Sequence, residues 1–277
     1  MDLSGQFILN AGVVLAALLI LLAFWRRRWF DLSAHPRNVS MMTPGQWLIL
    51  TMAGYFVPML LFVFAMPMLR ERLGQDEKSI EFLGTATPLI HFVSICLMAT
   101  LLIVSRATSV EFERSKARRG LIEGVLAGVL AVSPILAVGL LSVLVVTLVR
   151  GSRPDVVAHE ILQLLRDHRG DAWGWSLMAS AAIGAPIAEE LIWRGGLQSA
   201  LLRASQELGP PRPWFAILAT SVLFTTVHMS VVPPHALPTL FVLSVVLGLV
   251  RERTGSLLAP IVVHAMFNAA NLVAALA

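Results

Sequence analysis

The chain has 277 residues, 57% of them hydrophobic and only 14% charged, with a mean hydropathy of +0.77. Soluble globular domains carry about 25% charged residues, so the composition excludes an ordinary soluble domain and reads as an integral, multi-pass membrane protein. The net charge of +4 is distributed in short basic clusters between apolar runs, a topology signal that argues against a nucleic-acid partner.

Apolar runs long enough to cross a bilayer, about 20 residues each, fall at 7–25, 46–69, 86–105, 121–149, 173–202, 214–232, 236–250 and 257–276. The seventh is the shortest. They predict an all-α fold of about eight transmembrane helices. Asp2 precedes the first run and Arg26, Arg27 and Arg28 follow it. This reverses the charge order of a cleavable signal peptide and reads as a first transmembrane helix with its N-terminus outside. The loops 26–45, 106–120, 203–213 and 251–256, with Arg194, carry 14 Lys and Arg; the remaining segments carry 7. That bias puts both termini outside, in the cytoplasmic membrane of a bacterium.

Cys96 is the only cysteine, so no internal disulfide forms, and its apolar run predicts a small buried residue. Gly120, Gly124 and Gly128 recur every fourth residue and predict a close helix–helix contact. Asp155–Arg169 sets Val156, Val157, Ile161, Leu164 and Leu165 among charges. It reads either as a helix lying on the membrane surface or as a helix in a soluble loop. The stretch 209–213, Gly-Pro-Pro-Arg-Pro, separates two runs. No internal repeat is visible.

An ionisable side chain within a membrane span costs about 2.5–3.5 kcal/mol on insertion scales, so the exceptions are informative. The fifth run holds Glu189, Glu190 and Arg194. Glu190 and Arg194 are four apart, share a helix face and are set to pair. Glu189 is turned about 100° away and is left free as a candidate general base. Pro186 removes a backbone hydrogen bond just before it, and a kink there opens room for water. The sixth run holds Phe224 and His228, and the eighth holds His264 and Asn268, each pair four apart on one face. Placed by the centres of their runs, Glu189, His228, His264 and Asn268 converge within about 8 Å of depth. His91, alone in the third run, reads as a structural histidine. His35, His159, His168 and His235 read as loop residues without a catalytic role.

Together, E-E-x-x-x-R (Glu189, Glu190, Arg194), F-x-x-x-H (Phe224, His228) and H-x-x-x-N (His264, Asn268) resemble the CPBP, or Abi-type, membrane proteases, which include the type II CAAX prenyl endopeptidases. The resemblance covers about residues 172–276. It implies a protease core over 121–277, with the motifs in 186–268; residues 1–120 are N-terminal transmembrane helices of unassigned role. It further implies an intramembrane endopeptidase acting on a membrane-associated protein or peptide, including prenylated CAAX-type substrates. Carried over, Glu189 and His228 activate water, His264 and Asn268 stabilise the oxyanion, and Glu190, Arg194 and Phe224 support them. Peptide hydrolysis needs just such a base and such donors. The favoured scheme is glutamate-dependent and metal-free. The alternative is a zinc site formed by Glu189, His228 and His264, although H-E-x-x-H is missing.

Two rival readings remain open. A non-catalytic scaffold or bacteriocin-immunity factor would bind a partner peptide, but binding alone has no need of a water base. A proton-coupled transporter would also carry buried Glu and His, but its polar residues would recur in both halves of the chain.

Overall fold

The computed structural model describes residues 3–32, 37, 42–74, 76–105, 114–152, 154, 160–168 and 170–276. Within them the regular structure is helical throughout. The first four helices are α1 (Leu3–Arg26), α2 (Pro44–Leu73), α3 (Ile80–Val104) and α4 (Arg114–Arg150). The chain continues through α5 (Glu160–Asp167), α6 (Ala172–Ala179), α7 (Ala185–Glu190) and α8 (Gln198–Glu207). It ends with α9 (Pro213–Val227), α10 (Leu237–Thr254) and α11 (Leu258–Leu276).

Local chemistry sets several of these boundaries. Thr43 accepts from the Gln46 N–H, and the Gln46 side chain accepts from the Thr43 N–H, a reciprocal cap that starts α2 at Pro44. Ser79 caps α3 in the same manner by accepting from the Phe82 N–H. Gly255 ends α10 at φ 65°, a left-handed turn open to glycine at little cost.

Five helices are long and apolar enough to cross a membrane: Ile8–Arg26, Pro44–Leu73, Ile80–Val104, Arg119–Arg150 and Pro234–Thr254. Large apolar side chains such as Phe64, Leu148 and Val149 stand exposed on them, a surface that lipid covers. The chain is an integral membrane protein. Two more of the eight expected runs form shorter apolar helices, Pro213–Val227 and Leu258–Ala274. The remaining one, Ala172–Glu207, is helical from end to end but alternates in register. The π-helical stretches Ser180–Gly184 and Leu191–Leu197 flank α7.

Pro186 accounts for the first of these stretches. It has no N–H, and its ring would collide with the carbonyl one turn earlier in a regular α-helix. Widening the preceding turn to π register relieves the collision. The expected break at Pro186 is therefore a change of winding.

The bundle has two main apolar cores. One gathers Trp47 and Leu50 of α2, Met98 and Leu102 of α3, Leu191–Leu197, and Phe224 of α9. The other gathers Ala131 and Ile135 of α4, Leu243 and Leu247 of α10, and Ala259 and Val263 of α11. The glycine repeat lies between α4 and α11. A Cβ on Gly124 would stand 2.9 Å from both the Ala259 carbonyl oxygen and the Val262 Cβ; Gly120 faces Ser256, and Gly128 faces Met266. The predicted close contact is present.

Three expectations need correction or limits. Cys96 is exposed: in a membrane span the outward positions are as apolar as the inward ones, so an apolar neighbourhood does not imply burial. The sixth run ends as helix at Val227, not at 232, because turns at His228–Val232 and then Pro233–Pro234 break it. The segment expected to be helical over 155–169 forms α5, with Leu165 buried beside Ile80 and Leu177. Val156, Val157, His35 and His159 lie outside the described residues.

The basic bias predicts an orientation that labelling can check. In a Cys96→Ser background, single cysteines at Arg119 and Arg253 should react with an impermeant thiol reagent only from the cytosolic side, and one at Lys78 only from the other. Labelling of Arg119→Cys from outside alone would invert the topology.

Candidate active site

The three motifs meet. Glu189 and Glu190 come from α7, Arg194 from the π stretch that follows it, Phe224 and His228 from the end of α9, and His264 and Asn268 from α11. Arg194 Nη1 donates to Glu190 Oε1 at 2.9 Å, and neither side chain has any exposed surface. Arg194 Nη2 donates to the Ser244 carbonyl at 3.0 Å and to its hydroxyl at 2.7 Å, which ties α10 to the site. The guanidinium carbon lies 5.0 Å from the centroid of the Phe224 ring, a cation–π contact removed from water.

The second carboxylate is placed differently. Glu189 Oε2 is 4.0 Å from His228 Nε2 and 3.9 Å from His264 Nε2. Glu189 and His228 keep 26% and 21% of their side-chain surface accessible, against 4% for His264. The base candidate is thus reachable while its support is dry.

Both imidazoles are held by their other nitrogen. His228 Nδ1 is 2.7 Å from the Phe224 carbonyl oxygen, to which it donates, since a carbonyl only accepts. His264 Nδ1 is 2.9 Å from Glu190 Oε1. Phe224 is fully buried, with its ring centroid 4.5 Å from that of His228 and 6.1 Å from that of His264. The F-x-x-x-H spacing therefore supplies both a carbonyl anchor and an aromatic floor. Glu190 thus reaches the cluster through His264.

Asn268 lies one turn beyond His264 on α11. Its amide nitrogen donates to the Ala181 carbonyl at 2.9 Å, within the first π stretch. One N–H of the amide is thereby used and the second remains.

Two neighbours were not singled out by the motifs. His91 of α3 bonds Ser180 Oγ at 2.7 Å and stands within electrostatic reach of Glu189. A Cβ on Gly184 would come within 3.4 Å of its Nδ1. Its signal in the sequence is a lone ionisable residue in a span. Ser244 had no signal, because a serine in an apolar helix is unremarkable until its partner is known.

The donor set has the chemistry of a zinc site: two imidazoles, each anchored through Nδ1, and a carboxylate. Its spacing is wider. Ligand atoms about 2.1 Å from one zinc stand about 3.4 Å apart in a tetrahedron. Among the described residues no three His, Cys, Asp or Glu side chains form a metal-holding group.

Helices around a buried carboxylate–imidazole cluster define the class: a membrane protein with a polar site built from three separate helices. Residues 171–270 match the family model described as type II CAAX prenyl endopeptidase Rce1-like. This bears out the resemblance drawn from the three motifs, and it is a protease family. No curated protein and no solved structure matches the chain.

The dry ion pair makes a stability prediction. Glu190→Gln leaves Arg194 as an uncompensated buried charge and should cost about 3–5 kcal/mol, seen as a clear fall in melting temperature of the purified protein. Equal melting temperatures for the variant and the wild type would refute the structural role.

Proposed function

We propose that the chain is an intramembrane endopeptidase that hydrolyses a peptide bond of a membrane-associated protein, the prenylated CAAX class being the one its family description names. The reading rests on one observation above the others: Glu189 Oε2 lies 3.9–4.0 Å from two imidazole Nε2 atoms. A water hydrogen-bonded at about 2.8 Å to each of two such atoms sets them about 4–4.5 Å apart. The gap is therefore the size of one bridging water.

In this scheme the water donates one hydrogen to Glu189 and the other to His228 Nε2, which is an acceptor because His228 Nδ1 carries the ring proton. Glu189 takes a proton as the water oxygen bonds to the scissile carbonyl carbon. The carbonyl π pair moves onto oxygen. That oxyanion is met by the free N–H of Asn268 and by His264 Nε2. His264 Nε2 donates there when both ring nitrogens carry hydrogen, its Nδ1–H being directed at Glu190. Glu189 then passes its proton to the amide nitrogen as the C–N bond breaks. Acid and amine leave, and the carboxylate is regenerated.

The scheme is metal-free. What supports it is a spacing that suits one bridging water better than a shared zinc ion. The protease core is taken as 121–277, supported by the packing of α4 along α11. The orientation proposed is both termini outside, in a bacterial cytoplasmic membrane.

Glu189→Gln should abolish cleavage of a membrane-tethered peptide while the protein stays folded in detergent. Asn268→Ala should lower kcat about 10²–10³-fold with little change in KM, as loss of one oxyanion donor does. Full activity in both variants would remove the catalytic reading and bring forward the peptide-binding scaffold.

Metal analysis separates the two hydrolytic schemes. Purified active wild type should hold no stoichiometric zinc and should survive chelators. Zinc that is lost together with activity in His264→Ala, and whose return restores a chelated wild type, would overturn the metal-free scheme.

A further inference from the structure

A groove of about 720 Å³ runs between α1, α4, α9 and α10 and shares no lining residue with the polar site. Its volume is that of a ligand pocket. The two ends differ in chemistry. At one end Arg27, Arg119 and Arg253 form a rim with Glu123. At the other the walls are apolar, reaching Pro134 of α4 and Phe241 of α10.

The rim is basic and stands at the ends of the apolar spans Ile8–Arg26, Arg119–Arg150 and Pro234–Thr254. Arg119 pairs with Glu123 at 2.7 Å. Arg253 donates to the carbonyls of Trp29, Arg28 and Asp31, with the Asp31 side chain within electrostatic reach. Arg26 and Arg28 flank Arg27. Five arginines thus stand against two acids, a local excess of three positive charges. Trp29, Phe30 and Trp214 ring the same end, with Trp214 Nε1 bonded to the Phe30 carbonyl at 2.9 Å. Tryptophans with a polar tip collect where hydrocarbon meets headgroups.

The apolar part has the length of a lipid chain. From Glu123 at the rim to Pro134 is 11 residues, about 16 Å along a helix, against about 15 Å for the hydrocarbon of one leaflet. Leu126 and Leu130 on its wall stay exposed, 58% and 39%, so the groove opens sideways toward the bilayer. Ala131 and Val250 close its floor.

We propose that this groove holds one anionic phospholipid, its phosphate at Arg27 and Arg119 and one acyl chain along α4 toward Pro134. A basic pocket between membrane helices at the headgroup level is suited to such a head group. A zwitterionic lipid fits the apolar part equally but brings no net charge to the rim. The occupant faces the lipid side of α10, while Ser244 on the opposite side of that helix holds Arg194.

The test is native mass spectrometry of the full chain in detergent, titrated separately with phosphatidylglycerol and phosphatidylcholine of the same acyl composition. It needs no substrate, so it stands or falls apart from the protease reading. Wild type should prefer phosphatidylglycerol by about 25-fold. Arg27→Ala with Arg119→Ala should remove that preference, at about fivefold per arginine, and leave phosphatidylcholine binding as it was, which also shows that the variant is folded. Leu130→Trp should weaken both lipids by filling the apolar part. Equal binding of the two lipids by wild type, or a preference that survives the arginine changes, would overturn the proposal. Unchanged binding of both lipids in Leu130→Trp would do the same.

Discussion

Glu190 and Arg194 have no exposed side-chain surface, so each charge must be answered inside the protein. The answer reaches three other helices. Glu190 Oε1 takes Arg194 from its own chain segment and His264 Nδ1 from α11. Arg194 continues to Ser244 of α10 and lies over Phe224 of α9. Removing an ion pair from water is costly unless its geometry is good and its remaining bonds are made. Here the bonds that the pair makes are also those that position the site, while Glu190 Oε2 and Arg194 Nε are buried without a hydrogen-bond partner. His264 cannot rotate without giving up Glu190, and Phe224, whose carbonyl anchors His228, is packed beneath both rings.

The winding of the fifth run serves the same arrangement. Two adjacent glutamates on an α-helix point about 100° apart, which lets one face the dry pair and the other the accessible space. π stretches on either side of α7 change the register before Ala185 and after Glu190. The first is also where Asn268 attaches, on the Ala181 carbonyl, and where Ser180 meets His91. A turn widened by Pro186 has backbone groups displaced from the regular ladder, and side chains from α3 and α11 bond there.

Much of this was legible in the sequence because membrane spans suppress charge. Against that background Glu189, Glu190, Arg194, His228 and His264 stand out, and the four-residue spacings place the members of each motif together. The all-helical class followed from apolar length, and a close helix contact on α4 from the repeat of Gly120, Gly124 and Gly128, while its partner α11 is seen only in the structure. Other features were hidden for physical reasons. The end of α9 is set by turns and by Pro233, while its apolar character continues to Val232. Cys96 looked buried because lipid-facing and protein-facing positions have the same composition. The bond between Glu190 and His264 joins residues 74 apart, and nothing local announces which of two neighbouring carboxylates a distant imidazole will choose.

In the proposed scheme the accessible and inaccessible halves of the cluster divide its tasks. A proton acceptor for water must meet water, and Glu189 and His228 keep about a quarter and a fifth of their side-chain surface open. A donor that must hold its direction gains from the opposite condition, and His264 is nearly closed off while bonded to a carboxylate with no exposure. Low polarity around that bond strengthens it and keeps competing water from its donor. The exchange of Glu189 and Glu190 in sequence would spoil both halves at once: the arginine-paired carboxylate would face water, and the free one would be buried without a partner. Their order along α7 is therefore part of the proposed chemistry.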